Sequence, residues 1–117
     1  MKKFITLLAL TLSVSAMADT NYSCFGTEPF WNFSIQGENA TFSMGDTSVN
    51  EQVASITSAE GTPEDFAFLL TTDRGATASI IAGQCNDGMS DNVYTHNILY
   101  KSSEGSVFYG CCNQVNK

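Results

Sequence analysis

Positive charge is scarce in this sequence: five lysines and arginines stand against 12 aspartates and glutamates, a formal net charge of −7. Nucleic acid and anionic lipid both demand cationic surfaces, so this balance argues against either as a partner and makes a cationic protein the natural complement. Histidine is rarer still, with His96 alone, and no C-x-x-C occurs, so the spacing of a thiolate or imidazole metal centre is missing. No G-x-S-x-G elbow accompanies a serine, and Glu64 and Asp65 follow Pro63 in what reads as a solvated turn, so catalysis is not expected and no cofactor is called for. Long apolar runs are also missing. The one extended run, residues 4–16, falls short of the roughly 20 residues a membrane span needs.

That run has another reading. Lys2 and Lys3 precede it, and Ala16-Met17-Ala18 closes it with an A-x-A site, the pattern of a cleaved secretory signal. Residues 1–18 are therefore expected to be removed, giving a mature chain 19–117 of 117 − 18 = 99 residues. The two signal lysines leave with it, so three cations face 12 acids, 3 − 12 = −9. Asn21-Tyr22-Ser23 before Cys24 is unlike a lipoprotein processing site. A periplasmic or secreted protein without a membrane anchor is the expectation. A single domain of this size buries roughly two-thirds of its extended surface, so covalent staples would help it.

Four cysteines supply them: Cys24, Cys85, Cys111 and Cys112. Bridging the neighbours Cys111 and Cys112 would close a strained ring, so each is expected to take a separate partner. On a strand the two would also point to opposite faces. Cys85 with Cys111 and Cys24 with Cys112 is the favoured pairing. The competing use of these residues is metal or redox handling, with His96, Met44 or Met89 as further ligands, and it requires free thiols.

Along the rest of the chain the dominant period is two. Trp31, Phe33 and Ile35 alternate with Asn32, Ser34 and Gln36, and beyond Gly37-Glu38-Asn39 the segment 40–44 repeats the pattern. Further strands are expected over 53–57, 65–72, 76–82, 92–100 and 105–112, separated by turn residues. No helical period lasts beyond a turn or two. Seven or so short strands predict an all-β fold, a small antiparallel β-barrel, with a β-sandwich as the alternative. Alternation places His96 on one face with Tyr94, Ile98 and Tyr100, as a packed strand residue and not a base, and places Trp31 in the core.

Two stretches are candidates for recognition. In CFGTEPFWNFSI, residues 24–35, Pro29 holds a strand entry extended, and Glu28 beside it is a carboxylate that a cationic partner would find. In QCNDGMSDNVY, residues 84–94, Asp87, Ser90, Asp91 and Tyr94 form a polar loop tethered by Cys85. The loop lacks the oxygen-ligand spacing of an EF-hand, so calcium is not its expected ligand.

The combination of E-P-F-W at 28–31, C-x-D-x-M-S-D at 85–91 and Gly110-Cys111 resembles a family of small exported bacterial proteins without an assigned activity. A looser likeness is to the periplasmic lysozyme inhibitors, small disulfide-bonded antiparallel barrels of which one group inserts an S-G-x-x-Y loop into the lysozyme cleft. Ser90-Asp91-Asn92-Val93-Tyr94 keeps the serine and the tyrosine of that motif and has Asp91 in place of the glycine. The resemblance implies a periplasmic binding module, an inhibitor of a cationic cell-wall hydrolase such as lysozyme, acting through Ser90 and Tyr94.

Overall fold

Strands form where alternation lets one set of side chains leave water while the other stays in it, and this chain does so eight times. In the computed structural model, which describes residues 20–27, 29–86, 88 and 92–115, these are β1 (Asn21–Thr27), β2 (Phe30–Gln36), β3 (Asn39–Met44), β4 (Thr47–Ser58), β5 (Ala67–Thr72), β6 (Thr77–Asn86), β7 (Val93–Lys101) and β8 (Val107–Gln114). Each pairs antiparallel with the next, and β1 closes on β8, so the sheet is an up-and-down barrel. The barrel alternative is the one realised. The signal segment 1–18 and the candidates Glu28, Asp87, Ser90 and Asp91 lie outside the described residues.

Three expectations are corrected. The stretch 21–27 is a strand, β1, which the pattern did not announce because its inward positions are Tyr22, Cys24 and Gly26. β4 begins at Thr47 and not at 53: residues 47–52 pair with β3 while 53–58 pair with β5, across a register shift between Val53 and Ser55. One strand thus turns a corner of the barrel. Finally, residues 84–86 continue β6, while 93–94 belong to β7 as the expected strand over 92–100 has them, so the polar loop is the tip of the β6–β7 hairpin.

The interior is packed ring against ring. Trp31, Phe33, Phe42, Tyr100 and Phe108 meet with centroids between 4.6 and 6.5 Å apart. Trp31 is 2% exposed, as its alternation predicts. Glycines make room for it. Gly26 sits directly opposite Trp31, and a Cβ there would lie 2.0 Å from the indole Nε1. At Gly110 a Cβ would meet the Phe25 carbonyl oxygen at 2.0 Å, because β8 and β1 approach closely where the barrel closes.

Both disulfides adopt the favoured pairing. Cys24 and Cys112 are cross-strand neighbours on the inner face of β1 and β8 and are bonded inside the barrel. Cys111 faces outward and is bonded to Cys85. Adjacent residues of one strand point to opposite faces, so one cysteine staples the inside of the closure and its neighbour staples the outside.

Candidate functional site

The outer staple determines what the β6–β7 hairpin does. Pairing shifts register between Ala82 and Cys85, and β7 leaves its ladder with β8 beyond His96. Past that point the hairpin lies over the outer face of β8 and β1. Cys85 is bonded to Cys111 there, its Sγ is 3.5 Å from the Gly110 carbonyl oxygen, and Tyr94 packs edge-on to Phe25 with centroids 4.9 Å apart. Near the tip, Asn86 Oδ1 accepts from the Gly88 amide at 2.6 Å, and Asn86 Nδ2 donates to the Asn92 carbonyl at 3.4 Å.

The two stretches that the sequence singles out therefore meet, at Phe25. On one side of it a recess of ≈ 90 Å³ lies between Thr27 of β1, Asn86 of the hairpin and Tyr109 of β8. On the other side a larger groove of ≈ 540 Å³ is lined by Phe25, Thr27, Phe30, Asn32, Ser43, Met44 and Gly45. Of the candidates among the described residues, Tyr94 is half-buried at this meeting point. Phe25, Phe30 and Asn32 were not singled out as site residues. The signal was present in β2, where Phe30 shares the outward face with Asn32 and Ser34 and is 71% exposed.

Charge is distributed in a way the totals do not reveal. Across all eight strands only Glu51 and Lys101 are charged, and Glu51 is buried inside. Glu38, Asp46, Glu60, Glu64, Asp65, Asp73 and Glu104 all sit in the connections. Among the described residues the acidity is carried by turns and by the buried Glu51, while Lys101 is the one charge on the outer wall of the strands.

Buried polar groups are mostly paired. Thr72 Oγ1 donates to Glu51 Oε1 at 2.5 Å and accepts from the Ala76 amide at 3.0 Å. His96 is 6% exposed. The Asp65 carbonyl, 3.2 Å from Nε2, can only accept, so Nε2 carries the hydrogen of that bond, and Nδ1 shares a second with Thr95 Oγ1 at 2.8 Å. The edge of its ring meets Tyr22, whose buried hydroxyl has no hydrogen-bond partner among the described residues. Among the described residues, no group of three or more His, Cys, Asp or Glu could hold a metal ion. All four cysteines are in disulfides, so the thiolates that metal or redox handling would use are already committed.

Comparison of the chain with protein-family models, with curated proteins and with solved structures gives no match. The functional reading stands on this chain's own residues.

Proposed function

We propose that this protein is an exported binding module that presents the tip of its β6–β7 hairpin to a cationic protein, a cell-wall hydrolase such as lysozyme being the partner to test first. The observation that carries the reading is the fastening of the hairpin on either side of that tip. The Cys85–Cys111 bond and the Phe25–Tyr94 contact hold the flanks of the tip against a closed barrel. A segment held in place before binding loses less conformational freedom on binding, which raises affinity without new contacts. Acidic turns supply the complementary field, since 12 acids face three cations once the proposed signal 1–18 is removed.

The test is inhibition of lysozymes of several types by the oxidised exported protein, at low and moderate salt, with Ser90→Ala and Tyr94→Ala variants beside it. Inhibition that weakens with salt and is lost in both variants is the expected result. Absence of binding at micromolar protein overturns the lysozyme reading.

A further inference from the structure

Strands β1 to β4 contain one charged residue, Glu51, and it lies inside the barrel. Their outward residues fall into cross-strand rows: Ser23, Ser34, Thr41 and Asn50 in one, and Phe25, Asn32, Ser43 and Ser48 in the next. In a strongly acidic chain, these two rows are hydroxyl and amide, interrupted only by Phe25. Side chains of this wall brace one another. Thr41 Oγ1 donates to Asn50 Oδ1 at 2.8 Å, and Ser43 Oγ to Ser48 Oγ at 3.3 Å. The groove of ≈ 540 Å³ opens in this wall, with Phe25, Phe30 and Met44 as its apolar lining and Thr27, Asn32 and Ser43 as its polar one.

Ligand classes can be set against that chemistry one at a time. An anion is poorly matched, since β1 to β4 have no lysine or arginine and the chain's net charge of −7 repels it. A peptide that binds by adding a strand needs a sheet edge, which a closed barrel does not offer. A neutral sugar fits. Its apolar C–H face packs on an aromatic ring such as Phe30, and its hydroxyls both donate and accept, as the serine, threonine and asparagine side chains of the wall do. An acetamido substituent would add a methyl group suited to Phe25 and Met44 and an amide suited to Asn32, the pattern of an apolar pocket with a few placed polar groups.

We propose that the outer face of β1 to β3 binds a neutral N-acetylated oligosaccharide, with one acetamido sugar in the groove beside Phe30, Asn32 and Met44 and the glycan continuing along the hydroxyl and amide rows. This site is separate from the hairpin tip, though both adjoin Phe25.

The test is titration of chitotetraose into the isotope-labelled, oxidised exported protein, followed residue by residue in its NMR spectrum. Backbone amides of 25–27, 30–32 and 41–45 are expected to shift, equally at low and high salt. Phe30→Ala and Asn32→Ala should each weaken binding about tenfold, as loss of a central contact does, while Leu99→Ala on the outer face of β7 should leave it unchanged. No shifts at millimolar chitotetraose, shifts confined to β5 to β8, or affinity that falls with salt would each overturn the proposal. A stronger response of the same amides to a lysine oligomer would also overturn it, in favour of a cationic ligand. Lysozyme binding is expected to depend on salt and on Tyr94, so each reading can fail without the other.

Discussion

Trp31 shows how far one residue's environment depends on residues that have no side chain. Gly26 opposes it across the β1–β2 ladder, and Gly110 brings β8 against the Phe25 carbonyl beside the same indole. Gly26→Ala would push a methyl group into the indole, so the protein should lose about 1–3 kcal/mol of stability through overpacking, read as a lower urea midpoint. Gly110→Ala meets backbone, which yields less than a side chain, and should cost at least as much. An unchanged midpoint for Gly26→Ala would mean that the indole is seated elsewhere. The alternation of 30–36 made the burial of Trp31 legible. Its dependence on Gly110 was not, because 79 positions separate the two, 110 − 31, and only barrel closure joins them.

At the scale of elements, the β6–β7 hairpin is the feature on which recognition turns. Cys85 of the hairpin and Cys111 of β8 are separated by 26 positions, and a bridge of that span stabilises by about 3–4 kcal/mol in the chain-entropy model. Cys85→Ala with Cys111→Ala should lower stability by that order while the barrel persists, because the Cys24–Cys112 bond still joins β1 to β8. Hydrogen exchange should then show protection lost at residues 83–95 and retained in β1 to β5. Uniform loss of protection would show instead that the outer staple holds the whole barrel. The hairpin's strands were partly legible, since 76–82 and 92–100 alternate. Its folding over β8 and β1 was not, because Gly83 marks the register shift between Ala82 and Cys85 but a glycine within a strand does not say over which face the strand will turn.

For the whole molecule, the buried tyrosines set a limit at alkaline pH. Burial, and then the charge of Asp65, raise the Tyr22 hydroxyl above its ordinary value. Burial, and then Glu51, raise Tyr100 further. Unfolded tyrosine ionises near pH 10. Below that value both states hold the proton and the contribution is fully present. Above it the unfolded chain releases protons that the native barrel keeps, so stability falls as pH rises. The melting temperature should therefore drop steeply on the alkaline side, and Tyr100→Phe should flatten that slope more than Tyr22→Phe. Equal slopes in wild type and both variants would place the alkaline transition elsewhere in the protein.

Period-two alternation, turn residues and four cysteines were enough to determine an all-β fold, a buried Trp31 and separate partners for Cys111 and Cys112, because each depends on which face of a strand a side chain occupies; alternation alone left barrel and sandwich both open. β1 escaped this reading since Cys24 and Gly26 are weak markers of an inward face, and β4 was read short because its first half, 47–52, alternates polar residues with few apolar ones. Closure of β1 on β8, the hairpin's passage over that seam, the meeting of Phe25 with Tyr94 and the groove beside Phe30 were decided by the tertiary structure alone. These are contacts between distant parts of the chain, and local periodicity carries no information about which outer faces will be brought together.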